Sequence, residues 1–182
     1  MSQPLLTPQI PAGEEARVAA LYGTIEARLG FVPDGLRLYG ISPPLLETFV
    51  GTVGYLNTES TLGPRLAAMI RYLVSSQAHC SFCIDMNEGF LTGMGLDLAA
   101  IRAARGDLEA APVEARERPL LRLALKAVTK PEQVSAADLD AARAAGWDDR
   151  GIFDAVALAT GNRAFNLLLA TFKVEHQGVF AA

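Results

Sequence analysis

Cysteine and histidine are nearly missing from this 182-residue chain, which holds two of each. A closed zinc site wants four ligands. His79 adjoins Cys80, so joint ligation with Cys83 would be strained, and no metal or cofactor is expected. Aromatic residues make up only 7%, and β-branched residues are sparse. No window alternates with period two, which excludes a sheet-based fold. Basic runs are also missing. The net charge is −4 and the pI about 5.2, so the basic stripe of a nucleic-acid-binding protein is not there. Long apolar runs are absent as well. The longest candidate, Ile152 to Val174, is interrupted by Asp154, Asn162, Arg163, Asn166 and Lys173, and no membrane span is expected. The opening stretch, MSQPLLTPQIPAGEEA, has neither a charged leader nor a long apolar core. The expectation is a soluble cytoplasmic protein, where thiols are kept reduced.

Alanine and leucine are abundant. Hydrophobic residues reach 51% and charged residues 20%, a globular balance that favours helix. The sequence predicts an all-α fold in a single domain, residues 1–182. Residues 1–11 form an extended arm, with Pro4, Pro8 and Pro11 blocking helix. N-terminal helices occupy about 12–105, including the one that carries the cysteines. C-terminal helices occupy about 117–182. Spacings of three and four among Val18, Leu21, Tyr22, Ile25 and Leu29 predict a first helix. Shorter and longer helices follow near 34–40 and 43–56. Gly63-Pro64 opens the next. The cysteine segment starts a new helix that runs to about Gly93, and Asp97 caps a short one. Residues 107–118 read as a connection. Helices near 117–130, 135–145 and 149–176 complete the chain, with Ser135 and Asp138 set as a capping box. Trp147 is expected to anchor a turn, and His176 to face solvent near a helix end.

The chemistry is concentrated in AHCSFCIDMNEG, residues 78–89. Cys80 and Cys83 lie on one face near a helix start, where backbone N–H groups favour a thiolate. Cys80, at the terminus, is the more acidic thiol on this reading. His79 would add positive charge when protonated, and Asp85 and Glu88 would act against it. Spacing alone leaves three readings open: a redox pair, part of a metal site, or two small core residues. Tyr72 and Phe82 are expected as pocket walls. Arg65 and Arg71 are expected to be solvated or paired with an acid, and Asn162, Arg163 and Asn166 to form a satisfied network at an interface.

The stretch RLAAMIRYLVSSQAHCSFCIDMNEGFLTGMGLD resembles the alkylhydroperoxidase-D-like proteins of the carboxymuconolactone decarboxylase family. GFVPDGLRLYGISPPLLETFV and the segment from Val134 to Glu175 are similar to the flanking helices of its peroxidase-related members. The resemblance implies an all-helical fold assembling as a homo-oligomer, dimer to hexamer. It also implies reduction of a small hydroperoxide or disulfide with electrons from a thiol donor. By that pattern Cys83 attacks and Cys80 resolves, the reverse of the order that helix position favours. The pattern breaks at both proton-relay positions, where Asn87 replaces a histidine and Ala68 a glutamate. Asparagine cannot take a proton near neutral pH, and lost general-base help typically costs about 10²–10⁴-fold. The expected site residues are therefore Cys83, Cys80, His79 and Asn87, with His79 as the substitute base. A fold kept as a non-catalytic scaffold is the first alternative, and lactone decarboxylation the second.

Overall fold

The computed structural model describes residues 4–174. Among them the regular structure is helical throughout, without strands, in nine α-helices. These are α1 (Glu15–Leu29), α2 (Asp34–Tyr39), α3 (Pro43–Thr58), α4 (Pro64–Gln77), α5 (Ser81–Gly93), α6 (Leu98–Ala103), α7 (Arg118–Thr129), α8 (Ala136–Ala144) and α9 (Asp149–Phe172). The expected connection at 107–118 holds two short 3-10 turns, Leu108–Ala110 and Ala115–Glu117, and its last residue opens α7.

Local chemistry accounts for most boundaries. Gly30 closes α1 in the left-handed conformation, φ 80°, which costs glycine little. The Asp97 carboxylate accepts the Ala100 N–H at 2.9 Å and starts α6. Asp138 accepts the Ser135 N–H at 2.8 Å, so aspartate closes the expected capping box. Trp147 is buried and donates its indole N–H to the Arg116 carbonyl at 2.8 Å. Gly151 is required beside it, since a Cβ there would lie 2.9 Å from the indole ring. The last helix stops at Phe172, short of the expected residue 176. Lys173 turns left-handed, φ 57°, and donates its N–H back into the final turn. His176 and the end of that expected helix lie outside the described residues.

Helix α4 is the centre. Nine of its residues are buried, because it packs against α5, α7 and α9. A helix apolar on nearly all sides belongs in a core, and each fully buried leucine contributes about 1.5–3 kcal/mol. The main apolar cluster takes in α4, α7 and the first half of α9. A smaller cluster joins Leu38, Phe82, Phe165 and Leu169 to both cysteines. A third, of Val18, Ile25, Val32 and Leu46, fixes α1 to α3. Leu36 and Tyr39 of α2 touch the second and third clusters. Helices α2 and α3 thus cover the cysteine cluster, with α1 packed on α3. No helix of the described residues is long and apolar enough to cross a membrane.

One buried acid ties α5 to its neighbours. Glu88 accepts the Tyr72 hydroxyl at 2.9 Å, Arg102 Nη2 at 2.9 Å and Arg105 Nη2. Burial alone would raise its carboxyl, but the bonds from Arg102 and Tyr72 outweigh it and hold it below the ordinary value. With the folded-state value depressed, this stabilisation is complete above the unfolded value near 4.3 and fades as pH falls through the folded one. Glu88→Gln should cost about 1–3 kcal/mol in urea unfolding at pH 7. The difference from wild type should shrink on acidification, and a constant difference from pH 7 to pH 3 would exclude this role for the charge.

Candidate functional site

Helix α4 ends in a Schellman turn. The His79 N–H donates to the Ser76 carbonyl and the Cys80 N–H to the Ser75 carbonyl, both at 3.1 Å. That pattern needs a left-handed residue, usually glycine. Here it is His79, φ 52°. The turn delivers Cys80 directly as the N-cap of α5, with its carbonyl accepting the Ile84 N–H at 2.9 Å. Cys83 follows one turn on, on the same face.

Both cysteines are free, and they differ. Cys80 is 7% exposed and Cys83 1%. The Cys80 thiol is drawn down, first by the Cys83 thiol beside it and then, against the cost of burial, by the Cys83 backbone N–H and the Asn166 amide. Asp85 opposes this. The Cys83 thiol is pushed up, first because it serves as the donor to Cys80, then by burial and by repulsion from a charged Cys80. The acidic thiol is thus the one at the helix terminus, in line with the helix-position argument and opposite to the order the resemblance implies.

A shell of neutral polar groups lies under the sulfurs. Asn166 and Ser75 both act on Cys83. The Ser75 hydroxyl accepts Asn162 Nδ2 at 3.0 Å and Asn166 Nδ2 at 3.2 Å. Asn162 also donates to the Arg71 carbonyl at 3.2 Å. These bonds clamp α4 to α9 beneath the pair. Asn162 and Asn166 therefore form a satisfied network between two helices of one chain.

The four expected site residues fall into two places. Cys80 and His79 line a shallow groove of about 230 Å³, together with Ser81, Leu169, Ala170 and Lys173. Cys83 lies behind Cys80. Asn87 is fully buried and turns to backbone, donating to the Cys83 carbonyl at 2.7 Å and accepting Arg71 Nε at 3.1 Å. Arg71 thus pairs with an amide, and its guanidinium is pushed down to about 10 by burial and by the nearby positive charge of Arg28. Ala68 is fully buried in the main apolar cluster, apart from the cysteine cluster. Phe82 walls the cysteines. Tyr72 does not, because it sits about 100° round the helix from Arg71 and reaches Glu88. Glu88 is occupied by its arginines, so of the two acids only Asp85 bears on Cys80. Ser75 was not singled out in the sequence. Its signal is a lone hydroxyl within a buried apolar run.

An aromatic lid completes the site. Tyr39, Phe49 and Phe165 stack with ring centroids 4.9–5.9 Å apart. Gly35 lets α2 approach, since a Cβ would lie 3.1 Å from Phe165 and 3.2 Å from Phe82.

No family model matches the sequence, and no curated protein matches it. Solved structures do match. An uncharacterised peroxidase-related protein from a Silicibacter species superposes with a TM-score of 0.83 at 22% identity, over 95% of this chain and 91% of its own. A second, from Ralstonia eutropha and described as an alkylhydroperoxidase AhpD core, gives 0.83 at 20% identity over 98% and 96%. The fold is alkylhydroperoxidase-D-like. A debrominase, also solved with 2,3,4-tribromopyrrole, shares it at a TM-score of 0.78 and 19% identity, over 96% of this chain and 93% of its own. On this alkylhydroperoxidase-D-like frame the cysteine pair opens α5 and is surrounded by amides, a hydroxyl and a guanidinium.

The strained turn makes a direct prediction. A non-glycine residue in the left-handed region costs about 1–2 kcal/mol, so His79→Gly should stabilise the protein by about 1 kcal/mol, offset in part by chain entropy. A thermal melt that falls on this substitution would show that the His79 side chain contributes more than the turn costs.

Proposed function

We propose that this chain is a thiol-dependent oxidoreductase that reduces a hydroperoxide, or exchanges a disulfide, through Cys80 and Cys83. The observation that carries the reading is the placement of two adjacent free thiols: Cys80 as the N-cap of α5 at the rim of a groove, and Cys83 one turn on, buried behind it. The names of the neighbours on this fold support the same class of chemistry, with peroxidase-related proteins among them.

The reaction balances with these atoms. The Cys80 thiolate attacks the outer oxygen of ROOH, the O–O bond breaks, and the departing alkoxide takes a proton from solvent as ROH. Cys80 is left as a sulfenic acid. Cys83 then attacks that sulfur and gives up its proton, and hydroxide leaves as water while the S–S bond forms. An external dithiol restores both thiols and is itself oxidised to a disulfide. Ionisation of Cys80 before the attack removes the need for a base at the first step, and His79 at the groove is the imidazole placed to pass protons to solvent. With Asn87 and Ala68 at the relay positions, turnover should be slow, and about 10²-fold below that of a relay-equipped site is the expected scale.

A second reading, the fold as a non-catalytic scaffold, draws on the replacement of both relay positions by Asn87 and Ala68. Treatment of the reduced protein with one equivalent of hydroperoxide separates the two. The oxidoreductase should lose both thiols to one intramolecular disulfide. Cys83→Ser should hold a trappable sulfenic acid on Cys80, and Cys80→Ser should react about tenfold more slowly or worse. Sulfenic acid appearing on Cys83 in Cys80→Ser at the wild-type rate would restore the order that the resemblance implies. Thiols that stay intact in folded protein would favour the scaffold.

A further inference from the structure

From Phe153 onward, the outer face of α9 carries no charge. The charged residues in that span are Asp154, which is buried and accepts the Tyr55 hydroxyl at 3.0 Å, and Arg163, which lines a separate cavity with Gln77, Val128 and Thr129. The outward stripe is Phe153, Ala157, Thr160, Ala164, Leu167 and Thr171, all exposed. Phe153 is the most exposed large apolar side chain of the described residues, at 72%, and Leu167 stands at 54%. Thr160 and Thr171 donate their hydroxyls back to the Val156 and Leu167 carbonyls at 2.9 and 2.7 Å, so both donors are satisfied within the helix. Helix α3 runs alongside, its Phe49 ring 5.3 Å from that of Phe165, and widens the face with Leu45 and Tyr55, both exposed. The one charged residue of α3, Glu47, is turned to Arg17 of α1. A solvated helix normally gives its outward stripe to charged residues, as α7 and α8 do with Arg122 and Arg143.

Spacing and size identify the cover. The stripe steps by four and three residues in alternation, which is the seam of a left-handed helix pair. The steps read the same from either end. A second α9 laid antiparallel therefore brings Phe153 against Thr171, Ala157 against Leu167 and Thr160 against Ala164, so each large side chain meets a smaller one. A parallel copy would instead set Phe153 against Phe153 and Ala157 against Ala157. Such self-complementarity is what a two-fold axis requires. Across α9 and α3 the face is about 27 Å long and about 20 Å wide, the scale of the roughly 800 Å² that each partner buries in a stable dimer. We propose that this face is covered by a second copy of this chain, in a two-fold dimer whose seam is α9 against antiparallel α9. Asn162 and Asn166 reach Ser75 from the other side of the helix, so the seam lies away from the cysteine pair.

Sedimentation equilibrium at micromolar concentration tests the proposal. The wild type should show twice the 19.4 kDa chain mass, or an even multiple of it. Phe153→Glu and Leu167→Glu should each weaken association by about tenfold or more. Both residues are exposed, so the wild-type melt of the monomeric unit should be kept. Oxidation of an equimolar mixture of Thr160→Cys and Ala164→Cys should yield a cross-linked dimer that neither variant yields alone, because only residues facing each other across the seam come within disulfide reach. This arm decides the matter if the glutamate variants do not fold. A monomeric wild type overturns the proposal. So does an assembly unmoved by both glutamate variants, which would use another face. Thr160→Cys that cross-links to itself, and not to Ala164→Cys, overturns the antiparallel seam.

Discussion

The left-handed turn at His79 is the constraint on which the cysteine site depends. It stops α4 at Gln77 and starts α5 at Ser81. Within that break the chain reverses enough for α5 to pack along α4, and Cys80 takes the position where a helix leaves its N–H groups unsatisfied. Were α4 to continue through this point, Cys80 would be one more side chain on a helix interior, with every neighbouring N–H already used. The same turn holds the Ser75 carbonyl against the Cys80 N–H. The end of one helix, the cap of the next and the hydroxyl beneath the sulfurs are therefore parts of one piece of backbone.

Around that piece the fold has arranged fixed dipoles and one permanent charge. Amides of Asn162 and Asn166 reach Ser75 from α9, and Asn87 links Cys83 to Arg71. None of these groups gains or loses a proton near neutral pH. Such a shell can lower the cost of a thiolate but cannot ferry the proton that leaves it. On the proposed oxidoreductase reading the chemistry begins from an already ionised sulfur, and these fixed dipoles stand in for an acid–base relay.

Much of this was legible in the sequence, for identifiable reasons. Helix positions follow from apolar spacing of three and four, and their starts from local chemistry at Gly63-Pro64, Asp97 and Ser135. The cysteine pair stands out because cysteine is so rare here. The end of α9 was less legible, because the apolar pattern continues past Phe172 while a left-handed Lys173 ends the helix. The polar shell was hidden for a different reason. Ser75 and Asn166 are separated by 91 residues, and only the packing of α4 on α9 makes them neighbours. Tyr72 shows the limit of proximity in sequence: it adjoins Arg71 yet points to the far side of the helix, into the Glu88 cluster. Gly35 likewise reads as an ordinary helix residue until Phe82 and Phe165 are placed over it.

The account turns on Cys80 being ionised where an ordinary cysteine is not. The direct measurement is the pH dependence of alkylation at Cys80, by iodoacetamide with the modified residue identified by peptide mass, in the reduced wild-type protein. The expected midpoint lies well below the free-cysteine value, because the Cys83 thiol and the N–H groups at the start of α5 favour the Cys80 thiolate. A Cys80 midpoint at or above the free-cysteine value of about 8.5, or a Cys83 midpoint lower than that of Cys80, would contradict it.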